Sequence, residues 1–202
     1  MRTGAQERLG RGEALSWLAV RELCRGARSE EDLSEVLDLV LRNRSQLAVR
    51  RKFGALNRNV GAALMRACGD AGAHGLLPRI LRERRELGVT FSDRALRRAL
   101  DAAAGAGEGL AVARAFRAFT EDGAEVSPRL GYSFVRASLD SGRKDLAEAI
   151  AKECTDNGVA LPPATRRLLD SKESAPNAAG ADGDKEGGGG EGSSEEVSEG
   201  KD

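Results

Sequence analysis

The sequence predicts an all-α chain: a right-handed α-α superhelix, that is, a helical-repeat solenoid, followed by a disordered acidic C-terminal tail. Three observations predict it. Apolar residues fall at helical spacing through the first 170 positions, with almost no strand alternation. Aromatic residues make up only 3 % of the 202-residue chain, thin for a β-sandwich or barrel. Glycines recur at a fixed interval in the second half, and paired helices repeated at a fixed interval bury their faces by stacking.

In chain order, residues 1–12 are expected as a flexible N-terminus; Glu7, Arg8, Arg11 and Glu13 interrupt any secretory apolar segment. Residues 13–58 read as a degenerate helix pair plus an insertion. Helices are expected over 14–25 and 29–43, with the turn at 24–28 and an insertion or extra helix over 44–58. Leu33, Val36, Leu37, Val40 and Leu41 share one helical face, and Ser29 with Asp32 three residues on approaches a capping box. Trp17 is expected to anchor this pair. Residues 59–170 then hold three repeats, 59–93, 94–128 and 129–163, and a capping helix.

The repeat rests on two glycine columns. Gly72, Gly107 and Gly142 stand 35 residues apart, as do Gly88, Gly123 and Gly158, and the second of each unit follows the first by 16. Apolar positions recur with them: Leu76, Ala111 and Leu146; Ile80, Ala115 and Ile150; Val89, Ala124 and Val159. The first column belongs in the turn between two helices and the second at the C-cap of the second helix; both places need a positive φ, which glycine adopts without steric cost. Ser127–Pro128 reads as an N-cap followed by proline at the first helical position, and Pro162 and Pro163 open the capping helix.

Residues 171–202 carry nine acids against three lysines and a single large apolar residue, Val197, so nothing there offsets the entropy of ordering and the segment is expected to be disordered. The remaining 170 residues then hold 29 basic and 23 acidic groups, a mildly basic body. Asp182, Asp184, Glu186 and Gly187 begin like a calcium loop, but Ser193 stands where its twelfth-position glutamate is required. Cys24, Cys68 and Cys154 are odd in number, far apart and outside any CxxC pair, which reads as buried reduced thiols.

The unit resembles the pentatricopeptide repeat. Leu64 with Met65, Leu100, and Phe134 with Val135 stand where that family keeps apolar residues in its first helix. Gly88-Val89 and Gly158-Val159 match its glycine–aliphatic ending, and 157–162 is the nearest local match. The resemblance covers roughly 59–170 and, more loosely, 14–48; the family's first-helix tyrosine is nearly absent, and Tyr132 is displaced by one. The tetratricopeptide family, with a 34-residue period and protein ligands, is the neighbouring alternative. What the resemblance implies is organellar work on single-stranded RNA laid along a groove of first helices, in a mitochondrion or alternatively a chloroplast. One base per repeat would be read by a polar first-helix residue and the last residue of the repeat. The implied pairs are Ala63 with Asp93, Arg98 with Pro128, and Ser133 with Pro163. None combines the Ser, Thr or Asn and the Asn or Asp that the family uses.

Charge gives the other candidate residues. Arg42, Arg44, Arg50, Arg51, Lys52 and Arg58 lie in a run without an acid from 42 to 58, Arg79, Arg82, Arg84 and Arg85 form a second cluster, and Arg97, Arg98, Arg166 and Arg167 recur in first helices. Guanidinium forks suit phosphate oxygens. The competing explanation is compositional, arginine replacing lysine on any solvated face. The RNA-binding set is thus Arg42, Arg44, Arg50, Arg51, Lys52, Arg58, Arg98 and Ser133, with Phe116, Phe119 and Phe134 expected in the core. No catalytic, cofactor or metal site is expected: His74 is the sole histidine, and Gly105, Gly107 and Gly109 follow a helix rather than a strand. No stretch approaches the roughly 18 apolar residues of a membrane span. Two roles remain. One is a non-catalytic RNA-binding protein of RNA processing, splicing or translation. The other is an architectural subunit of an organellar assembly such as the mitochondrial ribosome, touching rRNA and proteins, or a tetratricopeptide-like adaptor.

Overall fold

The computed structural model describes residues 2–49, 57–121 and 123–171. Among them the chain is all-α. The helices are α1 (Arg2–Gly10), α2 (Trp17–Gly26), α3 (Glu30–Val49), α4 (Arg58–Asp70), a 3-10 turn (His74–Leu76), α5 (Leu77–Arg82), α6 (Arg84–Leu87), α7 (Asp93–Gly105), α8 (Gly109–Glu121), α9 (Pro128–Asp140), α10 (Lys144–Asp156) and α11 (Pro163–Ser171). The lone β-bridge among the described residues pairs Asn57 with Val89. No described helix is long and apolar enough to cross a membrane.

The 35-residue interval is visible in the backbone. α4, α7 and α9 are each 13 residues long and begin at 58, 93 and 128. The residue before each start, Asn57, Ser92 or Ser127, accepts the N–H three positions on through its side chain at 3.0–3.2 Å, satisfying one of the donors a helix start leaves open. Pro128 occupies the first turn of α9, where its missing N–H costs nothing. All six glycines of the two columns have φ between 63° and 78°. After each of them the next N–H reaches back five residues to a helix carbonyl, for example Val89 to Arg84 and Arg143 to Ser138, both at 2.9 Å, which is the Schellman closure.

Side chains at 35-residue equivalents fill the core. Leu64, Ala99 and Phe134 form one buried column; Met65, Leu100 and Val135 form the next; Ile80, Ala115 and Ile150 form a third. Phe116 meets Phe134 edge to face with centroids 5.2 Å apart, and Phe119 flanks Phe134 at 6.5 Å. Trp17 packs partly buried against this core. α2, α4, α7, α9 and α11 pack one on the next, and α5 packs on α8, α8 on α10. The three cysteines are free and buried; burial pushes the Cys24 and Cys68 thiols up to about 12 and Cys154 to about 11.

The structure departs from the sequence reading at four places. Residues 2–10 are helical rather than flexible, because Ala5 and Leu9, four apart, bury against α3 and the Leu9 carbonyl accepts Gln46 Nε2 at 2.6 Å. Residues 44–49 continue α3 rather than forming an insertion. Asn43, fully buried, holds this corner by bonding both backbone groups of Leu15, accepting its N–H at 2.7 Å and donating to its carbonyl at 3.3 Å. The second helix of the first unit is split in three: residues 74–76 close as a 3-10 turn before α5, whose first turn holds Pro78 with no N–H to donate, and Glu83, at φ −87° and ψ 7°, separates α5 from α6. Ser171 closes α11 rather than starting the tail; the rest of the expected disordered segment, 172–202, lies outside the described residues.

Candidate nucleic-acid interface

The helices α2, α4, α7 and α9 form a row, and a groove runs between each neighbouring pair. The α2–α4 groove has a volume of about 420 Å³, the α4–α7 groove about 590 Å³ and the α7–α9 groove about 360 Å³. The grooves share walls. Arg66 lines the first and second, and Arg94 and Arg98 line the second and third, so the three make one continuous track. Helix spacing of about 8–10 Å sets the step along it.

The track is strongly cationic. Eight arginines line it against two carboxylates, Asp70 and Asp101. Arg25 is held by Glu22 at 2.6 Å, and Arg136 by Asp140 at 3.2 Å with Asp101 at 3.9 Å. Those carboxylates raise the Arg136 pKa, the Asp140 hydrogen bond foremost. Arg66, Arg94, Arg98 and Arg129 are exposed and make no salt bridge among the described residues. The Arg21 Nε, buried at the α2–α4 groove, has no acceptor among them. Like charges brought together without counter-ions favour an anion in the groove.

The sequence-derived set is scattered by the fold. Arg98 and Ser133 meet in the α7–α9 groove, but Ser133 is only 8 % exposed and its Oγ donates to the Arg129 carbonyl at 2.8 Å, so the hydroxyl is engaged within its own helix. Arg58 is exposed at the first turn of α4. Arg42 is exposed on α3, outside the row of grooves. Arg44, also on α3, lays its guanidinium over Gly88 at the end of α6, where a Cβ would stand 2.8 Å from its Nε, so it packs against a helix terminus. Arg50, Arg51 and Lys52 lie outside the described residues. In the second cluster, Arg79 is committed to Asp38 at 2.7 Å and Glu83 at 3.0 Å, and Arg84 stacks on Phe119 at 5.1 Å.

Sequence reasoning missed Arg66, Arg94, Arg129 and Arg136. The signal was present in the same interval that gave the glycines: Arg94 and Arg129 are 35 apart, and Arg66 and Arg136 are 70 apart with Asp101 between them. Among the described residues no group of three His, Cys, Asp or Glu side chains is placed to hold a metal ion. No protein-family model matches this sequence, and no curated protein matches it significantly.

Proposed function

We propose that this chain is a non-catalytic RNA-binding protein whose helix pairs stack as a right-handed superhelical solenoid and hold single-stranded RNA along the first-helix row. The observation that carries the reading is the continuous track with four exposed arginines free of carboxylate partners among the described residues. Phosphate contacts of this kind give affinity without reading sequence. Ala63, Asp93, Arg98, Pro128, Ser133 and Pro163 do not form competent base-reading pairs, which supports binding that tolerates many sequences. The resemblance to pentatricopeptide repeats supports a role in RNA processing, splicing or translation, in a mitochondrion or alternatively a chloroplast. Attachment to rRNA inside a larger ribonucleoprotein would use the same track.

The test is equilibrium binding of the full chain to single-stranded RNA across a salt series. Affinity that falls steeply with salt supports the reading, and no detectable binding at low salt refutes it. Replacing Arg50, Arg51 and Lys52 by Ala in the same assay decides whether that run adds to the track: a flatter salt slope includes it, an unchanged slope removes it.

A further inference from the structure

The track is uneven, and its α7–α9 groove carries one side chain of a different kind. Tyr132, the single tyrosine of the chain, stands half-buried in this groove. Its equivalents one unit back and one unit on are Arg97 and Arg167, and two units back Ala62, so at this step alone an aromatic ring replaces a cation or a methyl. The other aromatics described are spent elsewhere. Phe116, Phe119 and Phe134 form the buried cluster, and Trp17 and Phe91 pack against the core.

Around the ring the groove presents Arg94, Arg97, Arg98 and Arg129, while Arg136 is pinned beside it between Asp101 and Asp140. Arg97 leans on the Asp93 carbonyl of its own helix at 3.4 Å. That leaves Arg94, Arg98 and Arg129 without anionic partners among the described residues. Pro162 closes one side of the groove, and its volume of about 360 Å³ falls in the range of small-ligand sites. A cation cluster matches phosphate; a half-buried aromatic face among those cations matches a flat π-system. One ligand unit carries both: a nucleotide.

We propose that the α7–α9 groove is a nucleotide subsite, in which Tyr132 stacks one base of a bound strand while Arg94, Arg98 and Arg129 hold the phosphates flanking it. The subsite rests on the RNA reading above and adds to it a single base-contacting position. It distinguishes a strand with bases from a bare polyanion, which arginines alone do not. Any of the four bases suits it, because stacking uses the ring face rather than the base edge.

The experiment compares a single-stranded oligouridylate with an abasic ribose-phosphate strand of the same length, by fluorescence anisotropy on the full chain. Wild type should prefer the oligouridylate by about tenfold, the range of one base–aromatic stack. Tyr132→Leu should lose that preference while keeping its salt slope, and Tyr132→Phe should retain it. Equal preference in wild type and Tyr132→Leu overturns the subsite but leaves the RNA reading standing. Failure of the oligouridylate to bind wild type at low salt overturns the RNA reading itself. A readout without mutation guards against a misfolded leucine variant. With 3-fluorotyrosine at the single tyrosine, the fluorine resonance should shift with oligouridylate and not with the abasic strand; identical shifts, or none, overturn the proposal.

Discussion

Replacing Arg94 and Arg98 together by Ala is the sharpest perturbation of the track. The two lie one turn apart on α7, and each lines both the α4–α7 and the α7–α9 grooves. Each phosphate contact on a single strand contributes about 0.7 to the slope of log affinity against log salt. Taking about 1 M salt as the point where this contribution vanishes, one contact is worth about fivefold in affinity at about 0.1 M, and the pair about 25-fold. The double variant should therefore bind single-stranded RNA about 25-fold more weakly at that salt, with a slope shallower by about 1.4. The assay is fluorescence anisotropy with a labelled single strand between about 50 and about 200 mM salt, the range over which such contacts are read. The matched control is Arg114→Ala with Arg117→Ala. It removes the same charge from exposed positions on α8 that line none of the three grooves. If the control loses as much affinity and slope as the track variant, binding follows total charge and the track is not the site.

Five further outcomes test the fold. Gly61→Ala should lower stability by about 2 kcal/mol and Tm by about 4–8 °C in a thermal melt, because the new Cβ would overlap the Thr90 carbonyl, a backbone atom with little room to move. Gly142, at φ 78° with open space where a Cβ would stand, isolates backbone strain: Gly142→Asn should cost less than Gly142→Val in urea unfolding, since Asn tolerates the left-handed region and a β-branched residue does not. Asn43→Leu should cost about 2–3 kcal/mol in the same assay by leaving the buried Leu15 N–H and carbonyl without partners. The Cys24 and Cys68 thiols, raised from 9.0 to about 12, should resist alkylation in the native protein and react on unfolding. The same shift has a sign. A thiol that holds its proton more tightly when folded contributes stability that is full below pH 9.0 and is lost as pH rises toward about 12, so unfolding midpoints should fall across that alkaline window.

The helix pairs were legible in the sequence to the extent that their signals are local. Six glycines at two recurring positions announce positive φ, because a Schellman closure is made within six consecutive residues. The serine cap at 127 and Pro128 act within one turn of themselves; the equivalent cap at Ser92 is just as local but was not read from the sequence. α1 was not legible as structure. Its only apolar anchors are Ala5 and Leu9, and what orders them is α3, more than twenty residues away. The break before α5 was carried by Pro78, a local signal outweighed by the apolar stripe around it.

The candidate site divides along the same line. By itself the sequence determined that the chain is helical and that its units begin 35 residues apart, since both follow from side-chain period and backbone turn chemistry. It also determined that arginine dominates the basic residues. Only the tertiary structure decided which arginines face a groove. Arg79 looks like a member of a basic cluster until Asp38, 41 residues earlier, and Glu83 close on it. Arg44 looks available until Gly88 comes beneath it. Arg66, Arg94 and Arg129 belong to three separate helices and become one surface when α4, α7 and α9 stack. A charge acts through space on whatever the fold brings near, so its role is set by packing rather than by its neighbours along the chain.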